Sequence, residues 1–295
     1  MDPLVSIVTP CLNAARYLEA AIESVLRQDY PNIEYIVVDG GSTDSTLDVL
    51  KRYGSQIEWV SEPDRGTADA VNKGFERSRG SIFGYLHADD LLLPGAVAAA
   101  VEALESSPDA AGVYGEAWWI DEHGSRVARY PVRDFLPHQL ESECFICQPA
   151  SFLRREAFLN LGCLDPTLQL TFDYEFWMRL AHVYQLKHID QTLASSRMHR
   201  ANKSLGQRQE VFQETFQVLR RHYGYIPFHW VYSFLCNAAD GRDQFFEPLQ
   251  PSLLRYAESL PKGLALNPRA PGRYLMEWLR VMSWGGLRRR LHPSG

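Results

Sequence analysis

Residues 82–90, IFGYLHADD, decide how the rest of this chain is interpreted. The apolar run at residues 82–86 predicts a buried strand, and the run LLLP at residues 91–94 precedes a helical pattern. Asp89 and Asp90 therefore follow each other where a strand ends. Adjacent carboxylates repel each other unless a cation or a donor compensates them, and ligands of open α/β sheets bind at the carboxyl ends of strands. The sequence therefore predicts that Asp89 and Asp90 form a site for a divalent metal ion that holds a diphosphate. The alternative is that they belong to a solvated turn that caps the next helix.

The composition is that of a globular protein. Of the 295 residues, 45% are apolar and 22% are charged, and the chain is long enough for one large domain or two smaller ones. The net charge of −6 disfavours nucleic acid as the main partner, because duplex binding depends on clustered Lys and Arg. No apolar run reaches about 18 residues, so no membrane-spanning helix is predicted. The N-terminal residues predict no signal peptide.

The five cysteines are odd in number and scattered along the chain. This usage is expected of a reducing compartment, and we predict a cytoplasmic protein. Cys144 and Cys147 have the spacing of a redox or zinc pair, but no second pair or histidine cluster completes a four-ligand site. The sequence therefore favours buried thiols at these two positions.

Strand and helix patterns alternate through the first part of the chain. Apolar and β-branched runs predict strands at residues 4–9, 33–38, 57–60 and 82–86. Helical periodicity predicts a helix from Asn13, which is a good cap, a second helix capped by Asp44 or Ser45, and further helices at residues 67–77 and 97–104. Such alternation indicates an α/β fold with a mostly parallel sheet that is covered by helices on both faces.

The pattern changes after residue 110. A hairpin is predicted at residues 113–120 and 127–130, helices at 154–161 and 174–182, and a strand at 193–198. Beyond residue 205 the prediction is wholly helical, with helices at 211–223, 230–239, 253–260 and 274–283. We therefore divide the chain into residues 1–110, residues 111–205 and a helical C-terminal extension at residues 206–295.

The ends of the first two predicted strands carry the residues of a nucleotide site. Thr9, Pro10 and Asn13 lie at the end of the first strand and Asp39 lies at the end of the second, so these residues are expected to converge on one crevice. A carboxylate there accepts hydrogen bonds from a ribose or a base N–H, although Asp39 could alternatively only cap a helix. The phosphate loops G-x-x-x-x-G-K-[ST] and G-x-G-x-x-G are absent, which disfavours P-loop ATPases and nicotinamide dehydrogenases.

Four sequence motifs occur in a specific order. They are VSIVTPCLN at residues 5–13, VVDGGSTD at 37–44, EPDRG at 62–66 with Asp69 and NKG at 72–74, and HADD at 87–90. Each motif is weak alone, but the ordered set closely resembles family 2 glycosyltransferases of the GT-A fold, of the bacterial cell-surface polysaccharide type. The resemblance extends over about residues 4 to 205. It implies a Rossmann-like, mostly parallel sheet with a small antiparallel part.

The resemblance implies a nucleotide-sugar donor, often a UDP-sugar, that binds to residues 1–110. The residues around the donor would be Thr9, Pro10, Asn13, Asp39, Arg65, Lys73, Asp89 and Arg197. Asp89 and Asp90 match the metal-binding acidic motif of the family, with Asp90 expected as the direct ligand and Asp89 nearer the ribose and donor sugar. His199 either completes an N/O site for Mn²⁺ or Mg²⁺ or donates to the diphosphate. His87 stands where many members have a carboxylate, which leaves the outer position of the metal motif without one.

Residues 171–180, TFDYEFWMRL, resemble the family stretch in which an aspartate serves as general base. Asp173 occupies that position just before a predicted helix, whose N-terminal amides favour the charged carboxylate. Its alternative role is that of a helix N-cap. Glu175 replaces the second aspartate of the family, and Phe176 and Trp177 are expected to face the core.

The resemblance implies a metal-dependent, inverting hexosyl- or N-acetylhexosaminyltransferase. Metal and basic groups would stabilise the departing nucleoside diphosphate, while Asp173 would remove the proton of an acceptor hydroxyl that attacks the anomeric carbon from the opposite face. Residues 148–152 and the pair Trp118 and Trp119 are candidates for the acceptor groove, although adjacent tryptophans often divide between core and surface. A non-catalytic sugar-nucleotide or glycan-binding protein is the main alternative. A nucleotidyltransferase is disfavoured because its glycine-rich basic phosphate loop is missing.

The C-terminal tail has a basic amphipathic pattern. One predicted helical face is apolar and consists of Tyr274, Leu275, Trp278, Leu279 and Met282. The single acid Glu277 stands against the basic residues Arg269, Arg273, Arg280, Arg288, Arg289 and Arg290. This pattern suits attachment to the inner face of the cell membrane, and a lipid-linked acceptor would agree with it. A core edge or a partner subunit would explain the pattern equally well.

Overall fold

The computed structural model describes residues 2–241 and 251–281. The chain forms two units. The first unit comprises the chain up to Pro137 together with Cys144–His199, and the second comprises His138–Glu143 together with the chain from Arg200 onward. Strands from both sides of residue 110 belong to one sheet in the first unit.

The first unit is built on a mixed sheet. Its strands are β1 (Val5–Cys11), β2 (Ile33–Asp39), β3 (Glu58–Ser61), β4 (Ile82–Tyr85), β5 (Leu91–Leu92), β6 (Gly112–Ile120), β7 (Arg126–Arg129), β8 (Ser151–Arg154) and β9 (Leu186–Arg197). In the described part of the chain the order is β3-β2-β1-β4-β8-β6-β9-β5, and β7 pairs with β6. Strands β3, β2, β1 and β4 are parallel, whereas β8 is antiparallel to both of its neighbours. The predicted α/β class, with a mostly parallel sheet and a smaller antiparallel part, is confirmed.

Helices surround the sheet and make up most of the second unit. Those of the first unit are α1 (Leu18–Leu26), α2 (Thr46–Tyr53), α3 (Thr67–Arg77), α4 (Ala96–Glu105), α5 (Arg155–Asn160) and α6 (Phe172–Val183). Those of the second unit are α7 (Lys203–Gly206), α8 (Arg208–Tyr223), α9 (Phe228–Asp240), α10 (Leu253–Leu266) and α11 (Pro271–Val281). Helix α3 has the predicted bounds, and Ser45 is the N-cap of α2, as one of the two predicted alternatives. The other predicted helices are present with shifted ends, and residues 282 and 283 of the last prediction lie outside the described residues.

Three features differ from the sequence prediction. Helix α1 begins at Leu18 and not at Asn13, because Asn13 has a left-handed φ of 50° and lies in a loop. The strands β5 and β8 are not predicted, since two and four residues are too few to show a strand period. Strand β9 begins well before residue 193, because its first half is largely polar and pairs with β6 through register shifts.

The central strands are buried on both faces, as covered parallel strands require. Every residue of β1 and β4 is buried. Helix α3 packs so closely on these strands that Gly74 has no room for a Cβ, because the methyl groups of Val8 and Val38 occupy that space. This close approach fixes α3, which carries Asp69 and Lys73, against the sheet.

Helices α10 and α11 pack against each other in the second unit. The ring of Tyr256 stacks on that of Trp278 with 4.4 Å between centroids, and its hydroxyl donates to the Trp278 carbonyl at 2.7 Å. The Tyr274 hydroxyl donates to the Ser259 carbonyl at 2.9 Å. Because the start of α10 lies beside the end of α11, the two helices are antiparallel.

The predicted apolar face of the C-terminal helix is divided in the structure. Tyr274 and Trp278 pack on α10, whereas Leu275 and Leu279 are exposed. Four residues of that prediction lie outside the described residues, namely Met282, Arg288, Arg289 and Arg290. Within the described ranges, no helix has the length and apolar character needed to cross a membrane.

All five cysteines are free thiols. Cys11, Cys147 and Cys236 are buried, and Cys144 and Cys163 are half-buried. The prediction of a buried thiol is therefore confirmed at Cys147 and holds only in part at Cys144.

We expect Gly74→Ala to lower the free energy of unfolding. The added methyl group overlaps Val8 and Val38, and such overpacking costs about 1 to 3 kcal/mol, of which the better helix propensity of alanine offsets about 1 kcal/mol. Urea denaturation followed by tryptophan fluorescence measures the change. The matched control is Gly272→Ala in α11, where the new methyl group enters open space and no loss of stability is expected. A Gly74→Ala protein as stable as the wild type would contradict the close packing of α3.

Candidate functional site

The carboxyl ends of four neighbouring strands lie at one edge of the sheet. Cys11 at the end of β1 lies beside Asp39 at the end of β2, and Asp39 lies beside Ser61 at the end of β3. Strand β4 is the other neighbour of β1, and the Leu86 amide that follows it donates to the Val8 carbonyl at 2.9 Å. The loops after these strands therefore open on the same side of the sheet, and they carry most of the predicted donor residues.

Asp39 is fully buried, and both of its carboxylate oxygens accept hydrogen bonds from within the chain. Oδ2 accepts from the Ser61 hydroxyl at 2.6 Å and from the amides of Gly41 and Ser42 at 3.2 and 3.0 Å, and Oδ1 accepts from the Ser42 hydroxyl. Burial raises the pKa of Asp39, but these donors outweigh it, and the pKa lies below its ordinary value of 3.8. The charged carboxylate thus organises the loop after β2 and caps no helix, since α2 begins only at Thr46.

Asn13 joins the loops after β1 and β2. Its Oδ1 accepts hydrogen bonds from the amides of Thr43 and Asp44 at 2.9 and 3.3 Å. Its own amide donates to the Ser42 hydroxyl at 2.7 Å. The predicted role as a cap of α1 is therefore wrong, because the side chain binds the second loop; contact between Asn13 and a donor stays a prediction.

The loop after β3 also approaches the loop after β2. The carboxylate of Asp64 occupies the space beside Gly40 where a Cβ would stand, and its Oδ1 accepts from the Gly66 amide at 2.8 Å. The Glu62 amide donates to the Asp39 carbonyl at 2.9 Å. A side chain at position 40 would displace Asp64, which explains the glycine there.

Arg65 and Lys73, two of the predicted phosphate-binding cations, lie on the loop after β3 and on α3. The guanidinium of Arg65 donates two hydrogen bonds to Oδ1 of Asp69, at 2.6 and 3.1 Å. Nζ of Lys73 donates to the Pro63 carbonyl at 2.8 Å and lies 3.5 Å from a carboxylate oxygen of Glu62. Arg65 is largely exposed and Lys73 is partly enclosed. Phosphate contact by either residue stays a prediction.

Thr9 and Pro10 lie within β1 and not after it, because the strand extends to Cys11. Both residues are buried. The Thr9 hydroxyl forms a hydrogen bond with the Tyr35 hydroxyl, 2.9 Å away in the core. Thr9 and Pro10 thus lie near the end of β1, as predicted, and donor contact by either residue stays a prediction.

Asp89 and His199 form a pair at the end of the HADD segment. Oδ2 of Asp89 lies 3.1 Å from Nε2 of His199, and the His199 ring lies 5.0 Å from the Tyr17 ring between centroids. Burial raises the pKa of Asp89, but the hydrogen bond with His199 and the nearby charge of His87 outweigh it and lower the pKa. Asp89 thus carries its charge beside the imidazole, and both side chains are partly open to solvent.

Asp90 faces inward. Its Oδ1 accepts from the Arg197 amide at 2.7 Å, and the Ser196 hydroxyl donates to the same carboxylate. Burial raises the pKa of Asp90 well above its ordinary value, and the charge of Asp89 raises it further. The buried guanidinium of Arg197 donates to the carbonyls of Asp89 and Asp121 at 2.8 and 3.0 Å. This network fixes the HADD segment to the end of β9, and diphosphate contact by Arg197 stays a prediction.

The pair of Asp89 and His199 has the chemistry of a divalent-cation site. One carboxylate oxygen and one imidazole nitrogen suit Mn²⁺ and are compatible with Mg²⁺. Their separation of 3.1 Å agrees with that of neighbouring ligands of an octahedral ion, about 3 Å for bonds of about 2.1 Å. In residues 2–241 and 251–281, no group of three or more His, Cys, Asp or Glu side chains is arranged to hold a metal ion. The structure pairs His199 with Asp89, whereas Asp90, the predicted ligand, is more deeply buried.

Asp173 lies in the first turn of α6, and the N-cap is Thr171, so the alternative role of Asp173 as the N-cap is not observed. Its Oδ1 accepts from the Tyr174 amide at 2.7 Å, and the side chain is half-buried. Burial, followed by the charge of Asp173, raises the pKa of the Tyr85 hydroxyl at the end of β4. Asp173 therefore lies near the strand end from which the HADD segment begins.

The start of α6 is fixed by a buried ion pair. The carboxylate of Glu175 is buried and accepts two hydrogen bonds from Nε of Arg179, at 2.8 and 2.9 Å. The other nitrogens of Arg179 donate to the carbonyls of Leu161 and Cys163 at 2.5 and 2.7 Å. Trp177 is buried as predicted. Glu175 thus holds α6 in place while Asp173 remains half-exposed.

Tyr85 and Gln148 add polar groups near Asp173. The Tyr85 hydroxyl and Oε1 of Gln148 are buried without a hydrogen-bond partner among the described residues, and Nε2 of Gln148 donates to the Tyr85 carbonyl at 2.6 Å. The rings of His87 and Phe172 stack 6.2 Å apart, which links the HADD segment to the start of α6. Gln148 belongs to the predicted acceptor segment, but Tyr85 was missed, because in the sequence it is one more apolar residue of a buried strand.

The predicted acceptor pair divides between core and surface. Trp119 is buried. Trp118 is half-buried between the guanidinium groups of Arg126 and Arg129, which lie 4.9 and 4.7 Å from its ring centroid. Acceptor contact by Trp118 stays a prediction.

Sequence comparison connects the chain with known proteins. The model of glycosyl transferase family 2 matches residues 6–162. An uncharacterized glycosyltransferase of Rickettsia typhi is 31% identical over 225 residues, which cover 71% of this chain and 69% of that protein. Chondroitin synthase of Escherichia coli is 25% identical over 255 residues, which cover 85% of this chain and 37% of that protein. The chain also matches other glycosyltransferases of Rickettsia, and it spans about a third of the length of these relatives.

Solved structures share the fold. S. aureus TarS 1–349 in complex with UDP-GlcNAc superposes with a TM-score of 0.62 at 16% identity, and the match covers 98% of this chain and 88% of that one. The mannosyltransferase PcManGT of Pyrobaculum calidifontis, in complex with GDP-Man and Mn²⁺, superposes with a TM-score of 0.59 at 19% identity. This match covers 97% of the present chain and 88% of PcManGT. At these identities the likeness shows the fold alone, and it confirms the predicted GT-A fold.

Asp39→Asn is expected to destabilise the protein at neutral pH, because the buried donors of Ser42 and Ser61 lose their charged acceptor. The folded pKa of Asp39 lies below the unfolded value of about 3.9, so the charge stabilises the fold above about pH 4, and this contribution is lost as the pH falls through the folded pKa. The difference in unfolding free energy between wild type and variant should therefore shrink below about pH 4.

Urea titrations between about pH 7 and pH 3 measure this difference. The exposed residue Asp48 of α2 provides the control, since Asp48→Asn should have little effect on stability. A difference for Asp39→Asn that stays constant to about pH 3 would contradict the assigned direction of the pKa shift.

Proposed function

The chain belongs to glycosyl transferase family 2, and we propose that it transfers a sugar from a nucleoside-diphosphate sugar to a hydroxyl of a glycan or lipid-linked acceptor. The reaction is a single displacement that inverts the anomeric configuration, and the transferred group is a hexosyl or N-acetylhexosaminyl unit. One observation carries the proposal: the half-buried carboxylate of Asp173 lies near the end of β4, on the sheet edge that also bears Asp39 and Asp89.

The proposed donor is a UDP-sugar that binds over the loops after β1, β2 and β3. Hydrogen bonds around Asp39 hold these loops in one arrangement. Arg65 and Lys73 supply positive charge for the diphosphate. The TarS structure of the same fold is in complex with UDP-GlcNAc, which supports a UDP-sugar.

Asp173 is the proposed general base. Helix amides at the start of α6 favour its charged form, and the Tyr174 amide orients one carboxylate oxygen. The carboxylate takes the proton of the acceptor hydroxyl as that oxygen bonds to the anomeric carbon. The bond between the anomeric carbon and the diphosphate breaks on the opposite side, so the configuration is inverted.

Asp89 and His199 are the residues that we propose hold Mn²⁺ or Mg²⁺. A bound divalent ion would stabilise the negative charge of the departing diphosphate. Arg197 and Asp90 support this pair, because the guanidinium binds the Asp89 carbonyl and the Asp90 carboxylate binds the Arg197 amide. The presence of Mn²⁺ in the PcManGT complex supports a divalent ion on this fold.

The acceptor is proposed to approach Asp173 from the side of Tyr85 and Gln148. Their unpartnered polar atoms favour a ligand with hydroxyl groups, such as a sugar. Similarity to chondroitin synthase supports a growing polysaccharide as the acceptor. The free thiols support a cytoplasmic location for the reaction.

Asp173→Asn is expected to lower the transfer rate by about 100-fold to 10,000-fold, because the amide cannot accept the acceptor proton. Affinity for UDP should be unchanged, since Asp173 lies on the acceptor side. Formation of glycosylated acceptor from a panel of UDP-sugars with Mn²⁺ measures the rate, and calorimetry measures UDP binding.

Asp48→Asn serves as the control and should transfer sugar at the wild-type rate. Equal transfer rates in Asp173→Asn and the wild type would remove Asp173 as the base. Wild-type protein that binds UDP-sugars but neither transfers nor hydrolyses them would favour the non-catalytic sugar-nucleotide-binding alternative.

Asp89→Asn and His199→Ala are each expected to weaken Mn²⁺ binding in the presence of UDP by at least about tenfold. Asp90→Asn should instead leave Mn²⁺ binding unchanged, because the buried Asp90 side chain accepts from the Arg197 amide and an asparagine oxygen still accepts this hydrogen bond. Electron paramagnetic resonance of free Mn²⁺ gives the affinity directly.

His188→Ala is the matched control. The His188 imidazole, on β9, lies between the carboxylates of Glu116 on β6 and of Asp134, and its hydrogen bonds in the described part of the chain do not reach the HADD segment. It should leave Mn²⁺ binding unchanged. If Asp90→Asn lost Mn²⁺ binding while Asp89→Asn kept it, Asp90 and not Asp89 would be the metal ligand.

A further inference from the structure

Exposed large apolar side chains are concentrated in α10 and α11 of the second unit. Leu253 and Leu254, in the first turn of α10, are 72% and 61% exposed. Leu275, Met276 and Leu279 of α11 are 40%, 53% and 43% exposed, and we refer to these three as the outer stripe. Single exposed leucines are ordinary, but a group on two packed helices indicates an interaction surface.

The outer stripe is a second apolar face of α11. The first face is already buried, because Tyr274 and Trp278 pack on α10 and Val281 is buried. Successive residues of a helix are about 100° apart, so the outer stripe lies about a quarter turn or more around the axis from that face. The apolar character of the stripe is therefore not explained by packing within the described part of the unit.

The sequence that follows the outer stripe is basic, and Arg280 of α11 is exposed. The one acidic residue of α11 is Glu277. Its carboxylate forms hydrogen bonds within the second unit, since it accepts from the Tyr225 hydroxyl at 2.6 Å and from the Phe228 amide at 3.3 Å. After Glu277 the sequence has no acidic residue up to its last position. The same stretch contains four arginines, namely Arg280, Arg288, Arg289 and Arg290.

We propose that the outer stripe docks onto an anionic lipid surface. Leu275, Met276 and Leu279 would enter the boundary between headgroups and acyl chains, while the arginines remain among the anionic headgroups. Charge complementarity selects this occupant over a second copy of the chain, whose equally basic surface would repel the first. Docking of this kind uses no residue of the proposed transfer reaction and does not depend on it.

The experiment is co-sedimentation of the full chain with vesicles of phosphatidylcholine that contain phosphatidylglycerol. The wild type should bind these vesicles, bind pure phosphatidylcholine more weakly, and dissociate as the salt concentration rises. The variant Leu275→Ser/Met276→Ser/Leu279→Ser should bind at least about tenfold more weakly, because it lacks the apolar side chains that insert.

The matched control is Leu159→Ser/Val183→Ser, which removes exposed apolar side chains from the first unit. It should bind the vesicles as the wild type does. Circular dichroism and thermal denaturation of the outer-stripe variant should match the wild type, and its UDP binding should be unchanged, so that lost vesicle binding reports on the surface and not on folding.

Several outcomes would overturn the proposal. Undiminished vesicle binding by the outer-stripe variant, or an equal loss in the Leu159/Val183 control, would remove the stripe as the lipid contact. Full binding by the outer-stripe variant combined with lost binding in Arg288→Gln/Arg289→Gln/Arg290→Gln would assign the lipid contact to the tail. A wild-type dimer that binds no vesicles and becomes a monomer in the outer-stripe variant would assign the stripe to a second copy.

Discussion

A buried carboxylate must be compensated by donors or by an opposite charge, and this requirement shapes the functional edge of the sheet. Asp39 receives its donors from the loop after β2 and from Ser61 at the end of β3. Asp90 receives them from Ser196 and Arg197 at the end of β9. Ser61 for Asp39, and both donors for Asp90, belong to another part of the chain, so these hydrogen bonds also tie separate loops together. The arrangement of the crevice therefore follows from how two buried aspartates are satisfied.

Two segments of the site each contain a pair of nearby acidic residues. In each pair one side chain is buried and the other is accessible to solvent. Asp90 is buried and holds the end of β9, while its neighbour Asp89 meets His199 where solvent has access. Glu175 is buried and holds Arg179, while Asp173, two residues earlier, is half-exposed. The buried member gives each segment one fixed position, because breaking its contacts would leave buried polar groups without hydrogen-bond partners. The open member is then available for chemistry.

Apolar periodicity was sufficient to predict the central strands and the bounds of α3, because burial against the sheet imposes a regular pattern on the sequence. It could not predict β5 or β8, which are too short to contain a period. Asn13 is a good helix cap by residue type, but its side chain binds the neighbouring loop, and only the fold brings that loop close. The sequence analysis assigned the metal to Asp90 and the donor to Asp89, but the hydrogen bonds that bury Asp90 and pair Asp89 with His199 come from residues that lie more than 100 positions away and have no signature in the sequence. The carbonyl groups that accept hydrogen bonds from Arg197 also have no signature in the sequence, which indicated only possible phosphate contact for this residue.

The position of β8 between β4 and β6 has a consequence for synthesis of the chain on the ribosome. Once residues 1–110 have emerged, β4 still presents an unpaired hydrogen-bonding edge, and it gains its neighbour only when Ser151–Arg154 follow. Open edges invite pairing with other nascent chains, and distant pairings form slowly. The N-terminal half is therefore not a separable module, and chaperones would have their greatest effect on this protein before β8 has been made.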